Sequence, residues 1–187
     1  MLPDEQRAGP DAAGAAAMPV PAVRARTLGL VWWLAVAIVA ADQLTKWLVQ
    51  AWIPLYGTVS VIPGFVDFVH IHNAGVAFGF LNDLSHPYRS AFTTILALGA
   101  LVAIAYYARQ VQPDERLARL GLSLVLGGAV GNLIDRLRLG HVIDFIDVYR
   151  GDWHFWAFNV ADAAITCGAV LILTELFIAS RHASHPR

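Results

Sequence analysis

Apolar residues in this chain come in four long runs rather than in the interrupted pattern of a soluble fold. The first, "TLGLVWWLAVAIVAADQLTKWLV", has no charge until Asp42, and the second, "SAFTTILALGALVAIAYYA", lies uncharged between Arg89 and Arg109. The third, "LGLSLVLGGAVGNLI", follows Arg116 and Arg119, and the fourth surrounds "AAITCGAVLILT". Each approaches the ~20 residues that cross a bilayer as a helix, the structure that satisfies its own backbone hydrogen bonds in lipid. The pattern predicts spans over about 27–48, 89–108, 117–137 and 156–180, within one domain covering 27–181.

The connections differ in kind. Residues 50–88 are too many for a turn. Within them "TVSVIPGFVDFVHIH" is β-branched and aromatic, punctuated by Pro63 and Gly64, and reads as two short strands. Val66, Phe68 and His70 are expected on one face, with Asp67, Val69 and Ile71 on the other. Ala74, Ala77, Phe78 and Leu81 have helical spacing and suggest a short amphipathic helix at the interface. Spans two and three are joined by the short "RQVQPDER". Spans three and four are linked by 137–155, where Trp153 with Trp156 can anchor at headgroup level.

Composition agrees: 57% of the residues are hydrophobic and 14% charged, against about half and a quarter in soluble domains. The formal net charge of −1 gives no reason to expect nucleic acid. Cys167 alone cannot form an internal disulfide. With both termini inside, eight of the thirteen Lys and Arg fall on the cytoplasmic side, which favours that orientation. A cleaved signal peptide at span one is the alternative, since Arg24 and Arg26 precede it and "AIVAAD" follows. Cleavage would remove the anchor just before Asp42 and leave three spans. Residues 1–26, rich in Ala, Gly and Pro, are expected to form a disordered cytoplasmic tail, with a second short tail at 182–187.

Polar residues gather at the outer ends of these spans. Asp42 and Lys46 stand four apart on one helix face, either as a snorkelling interfacial ion pair or as part of a site. Gly128, Asn132 and Arg136 share one face of span three; the glycine admits a neighbouring helix, and the polar pair should point into the bundle. Asp135 falls off that face and reads as a surface carboxylate. "HVIDFIDV" alternates as a strand with Asp144 on one face and Asp147 pointing away. Asn159 and Asp162 sit three apart at the start of span four, where a helix N-terminus favours a carboxylate.

Antiparallel spans three and four bring Asp144 and Asp162 together, with Asn132, Arg136 and Asn159 around them. Two close carboxylates share a proton, supplying a general base and a general acid. That is aspartic peptidase chemistry. His70 and His72 read as exposed residues rather than a metal site, His141 and His154 lie nearer the aspartates, and Ser123 lacks a histidine partner. A proton-coupled transporter using the intramembrane aspartates and a non-catalytic scaffold are the rival readings. The first lacks a polar path through the membrane, and the second has no need of converging carboxylates.

Five blocks in order, "DQLTK" from Asp42, "HNAGVAFG" from His72, "GGAVGNLIDR" from Gly127, "VIDF" from Val142 and "FNVAD" from Phe158, resemble the bacterial lipoprotein signal peptidases, signal peptidase II. The resemblance implies a membrane protein: an all-α four-transmembrane-helix bundle with a small extracytoplasmic β-cradle and a short interfacial helix, both termini cytoplasmic. Such an enzyme sits in the inner membrane with its site near the periplasmic face. It removes signal peptides from prolipoproteins just before a diacylglyceryl-modified cysteine. Asp144 and Asp162 would be the catalytic dyad. Asn73, Asn132, Arg136 and Asn159 would line the site, with Asp42 and Lys46 supporting span one. Gly75, Ala77, Phe78, Gly128, Phe158 and Ala161 would serve packing and shape. No metal or cofactor is implied. The expected partners are lipid-modified prolipoproteins and membrane phospholipid, and a monomer is expected.

Overall fold

The computed structural model describes residues 23–75 and 86–183. Four long helices dominate: α1 (Val23–Trp52), α2 (His86–Ala108), α3 (Arg116–Leu139) and α4 (Val160–Ala183). Among the described residues α2, α3 and α4 are long and apolar enough to cross a membrane. The tail expected over 1–26 lies outside the described residues as far as residue 22, and from Val23 onward the chain is already helical. Ala77, Phe78 and the interfacial helix expected around them also lie outside the described residues.

α3 is the hub, packing against all three other helices, whereas α2 among the described residues touches no helix but α3. Glycines make the close approaches. A Cβ on Gly121 would come within 2.5 Å of the Gly168 carbonyl oxygen of α4, and one on Gly168 within 2.5 Å of the Gly121 oxygen. Gly128, one heptad along α3, meets the Ala161 carbonyl in the same way. Gly127 and Gly131 serve the α1 side, where added Cβ atoms would lie 2.8 Å from Ala35 O and 2.6 Å from Asp42 Oδ2. Without a hydrophobic drive between helices in lipid, such backbone proximity is what associates them. The outward faces stay apolar and exposed, as at Phe92, Ile95 and Val102 on α2 and Val170, Leu173 and Phe177 on α4.

At one end of the helices lies a four-stranded antiparallel sheet in the order β1-β2-β3-β4. β1 (Thr58–Ile62) and β2 (Val66–Asn73) form the hairpin read from the sequence, turning at Gly64 with φ 79°. β3 (Val142–Arg150) pairs with β2, and β4 (Trp153–His154) closes the edge. Val49 of α1 and Ile53 just after it meet Ile143 and Phe145 of β3 in a small core. Here β3 is buried on both faces over its first four residues.

Two expectations need correction. The register of β2 against β3 shifts between Phe68 and Ile71, so Val69 and His70 are both buried and the simple alternation fails. His70 is therefore not an exposed residue, because its Nδ1 lies 2.9 Å from the Ile53 carbonyl oxygen. The fourth helix also starts at Val160 rather than near Trp156. Residues before it stay extended because Phe158 exchanges backbone hydrogen bonds with Ile146 at 2.8 and 3.0 Å.

Candidate active site

The polar residues converge where the C-terminal ends of α1 and α3 and the N-terminal end of α4 meet β2 and β3. Lys46 is the pivot, at 1% exposure. Its ammonium has three protons to donate and three acceptors around it: Asp42 Oδ2 at 2.8 Å, Asp135 Oδ2 at 2.9 Å and Asn132 Oδ1 at 2.9 Å. The snorkelling alternative for the Asp42–Lys46 pair is thus excluded; both side chains turn inward. Asp42 reaches further, accepting from the Ala161 N–H at 2.9 Å, an otherwise orphaned donor in the first turn of α4.

Asp135 is a further correction. It is 3% exposed, not a surface carboxylate. Besides Lys46, it accepts from the Ile143 N–H at 3.2 Å and from Gln43 Nε2 at 2.9 Å. It was expected off the Gly128–Asn132–Arg136 face, but at three residues from Asn132 it lies on nearly the same side, and the end of α3 is enclosed by α1 and β3 as well as by α4. The signal that could have found it is the charge of Lys46, since a buried ammonium needs compensating carboxylates nearby.

Asn132 and Asn159 carry this order to the candidate dyad. With its Oδ1 facing Lys46, Asn132 must present Nδ2 to Asp162 Oδ1, and does so at 2.8 Å. Asn159, wholly buried, is the N-cap of α4: its Oδ1 accepts from the Asp162 N–H at 3.0 Å, while Asp162 Oδ2 accepts from the Asn159 N–H at 3.2 Å. This is a capping box. The remaining Asn159 group, Nδ2, donates to Asp144 Oδ1 at 2.8 Å and lies within 3.2 Å of Ile143 O and Asn132 Oδ1. One asparagine thus touches both carboxylates.

Asp144 enters from β3 and is 3% exposed. Its second oxygen accepts from Asn73 Nδ2 at 2.9 Å. Asn73 is itself turned by the Gly75 N–H, which donates to its Oδ1 at 2.8 Å, at a glycine with φ 94° packed against Thr93. Burial pushes the Asp144 carboxyl up to about 6, and the neighbouring Asp162 acts in the same direction. The hydrogen bonds from Asn73 and Asn159 and the Lys46 charge act against it. Arg136 donates through Nη1 to the Asn132 carbonyl at 3.3 Å, and its buried Nε has no hydrogen-bond partner among the described residues. Gly128 and Ala161 form the tight α3–α4 contact behind the dyad. Phe158 lies just before the cap, its ring edge-on to Phe155 at 5.9 Å. His154 pairs with Asp147 at 2.8 Å, away from the dyad, and His141 stacks on His72 at 3.7 Å between ring centroids.

The family profile described as "Signal peptidase (SPase) II" matches residues 34–178. The chain belongs to the signal peptidase II family. Relatives agree: a lipoprotein signal peptidase of Solibacter usitatus is 45% identical over 152 residues, covering 81% of this chain and 93% of that protein. One of Syntrophotalea carbinolica is 46% identical over 140 residues, covering 75% and 86%. Two solved bacterial membrane enzymes share the fold. The first, at 31% identity, has a TM-score of 0.74 and covers 86% of this chain and 94% of the other. The second, at 33% identity, has a TM-score of 0.70 and covers 80% and 93%. As a signal peptidase II, the protein is a peptidase of membranes. Gln43 and Asp135 are the residues of its polar cluster that sequence reasoning had left out of the site.

Proposed function

We propose that the protein removes the signal peptide from diacylglyceryl-modified prolipoproteins, cutting on the N-terminal side of the lipidated cysteine, with Asp144 and Asp162 as catalytic dyad. The supporting observation is that both carboxylates hang on Asn159. Such a pair shares one proton. The ionised carboxylate takes a proton from water as its oxygen attacks the scissile carbonyl carbon, and the protonated one gives its proton to the carbonyl oxygen. The resulting gem-diol collapses, the C–N bond breaks, and the leaving nitrogen receives a proton from the dyad. The products are a signal-peptide carboxylate and the free amine of the lipidated cysteine.

The remaining roles follow from position. Asn73, Asn132 and Asn159 orient the carboxylates, Arg136 turns a positive charge to the pocket, and Asp42 and Lys46 hold α1 against α4. All four helices span the bacterial inner membrane with both termini cytoplasmic, putting the dyad near the periplasmic face. Trp153 and Trp156, 64% and 65% exposed, then lie at headgroup level among the phospholipids. The enzyme is expected to work as a monomer, since Asp144, Asp162 and the asparagines that hold them all belong to the same chain. Proton-coupled transport has no such support, since the polar cluster sits at one end of the bundle.

The test uses purified protein in detergent with a diacylglyceryl-modified prolipoprotein and its unlipidated form. Release of signal peptide from the lipidated substrate alone is expected. Equal cleavage of both forms, or of neither, would remove the substrate assignment.

A further inference from the structure

Among the described residues, the sheet has an open edge beside the dyad. β1 begins at Thr58, opposite Val69 of β2. The turn before it makes the last bonds on that side, Tyr56 N–H to His70 O at 2.9 Å and His70 N–H to Gly57 O at 3.2 Å. β2 continues to Asn73 with β3 as its other neighbour, pairing Ile71 with Asp144, His72 with Ile143 and Asn73 with Val142. Peptide groups alternate sides along an antiparallel strand. Ile143, opposite His72, donates its N–H to Asp135 and accepts from Asn159 through its carbonyl, so this pair exchanges no ladder bonds and His72 turns its own N–H and C=O away from β3, to the β1 side. There, among the described residues, no strand follows. His72 is exposed, and the next residue, Asn73, holds Asp144.

We propose that this edge binds the last residues of the signal peptide before the cut as an added strand, pairing their backbone with the N–H and C=O of His72. The inference rests on the assignment of Asp144 and Asp162 as dyad. A peptide lying in a bilayer stays helical because no water satisfies its backbone there. A helical peptide bond is shielded by its own turn, so the scissile bond must first be unwound. Unwinding frees donors and acceptors that need new partners, and a strand edge supplies both kinds without reading side chains. The open edge lies one residue from Asn73, so a strand paired there delivers its next bonds to Asp144. The signal-peptide side is favoured over the cysteine side because the cysteine must direct its acyl chains into lipid.

The experiment uses the whole enzyme and lipidated prolipoprotein peptides with an ester replacing the amide at each of the three backbone positions before the scissile bond. An ester removes one N–H donor and leaves every side chain in place. Pairing with the one carbonyl of His72 requires kcat/KM to fall about tenfold, the worth of one well-made hydrogen bond, at one of the three positions and to stay near the parent's value at the other two. A flat profile, or comparable losses at more than one position, would overturn the proposal. Cleavage of the all-amide parent by the wild type but not by Asp144→Asn separates that result from failure of the dyad, which would remove both.

Discussion

Replacing Lys46 with Met keeps the length and apolar stem of the side chain and removes its ammonium. Three acceptors lose their donor together: Asp42 at 2.8 Å, Asp135 at 2.9 Å and Asn132 at 2.9 Å. Two carboxylates that are 0% and 3% exposed then remain without the cation between them. Removing one partner of a buried ion pair costs about 3–5 kcal/mol, a large share of a typical stability of about 5–15 kcal/mol. At about 2–4 °C per kcal/mol for a domain of this size, the unfolding midpoint should fall by about 6–20 °C. Activity should fall with it, because Asn132 loses the contact that turns its Nδ2 toward Asp162. The assay is thermal unfolding of the purified protein in detergent, beside Asp135→Asn and the double variant Lys46→Met/Asp135→Asn. A neutral amide at position 135 needs no counter-charge, so the double variant should be less destabilised than the sum of the two singles. An unchanged midpoint for Lys46→Met, or strict additivity, would refute the reasoning.

Other expectations follow from the same contacts. Asp147→Asn weakens the pairing with half-exposed His154, so its cost should stay below about 1 kcal/mol and cleavage should be close to wild type; inactivation of a folded variant would contradict the separation of Asp147 from the dyad. Gly168→Val drives a branched side chain into the Gly121 carbonyl and should cost about 1–3 kcal/mol or more, read as a lower midpoint in detergent. Asp144 is raised from 3.8 to about 6 on folding, so its contribution is fully present below pH 4 and lost as pH rises through 6. Relative to Asp144→Asn, the wild type should therefore lose about 2–3 kcal/mol across that window. Unfolding curves at pH 4 and pH 7 that differ equally for the two proteins would count against it.

Much of this architecture is legible as hydropathy. The apolar runs located the helices to within a few residues, and the β-branched hairpin with Pro63 and Gly64 located β1 and β2. The Gly128–Asn132–Arg136 face pointed inward as read. Depth within the bundle was not legible, because lipid is as apolar as a helix interface and composition cannot tell the two apart. Asp135 shows the consequence: three residues from Asn132 on α3, it meets the same Lys46 and is enclosed by α1 and β3. The pairing of β2 with β3, some seventy residues apart, and the bulge that buries His70 depend on tertiary contacts that periodicity does not carry. The link from Lys46 through Asn132 to Asp162 needed coordinates, since amide orientation follows from its partners.

Turnover of a lipidated prolipoprotein by Asp144→Asn and by Asp162→Asn, each checked by its thermal unfolding in the same detergent, bears on the dyad itself. Both variants should remain folded, since an asparagine still accepts through its oxygen, and cleavage should fall by about 10²–10⁴-fold or more. Cleavage near the wild-type rate by either folded variant would contradict a mechanism built on the pair.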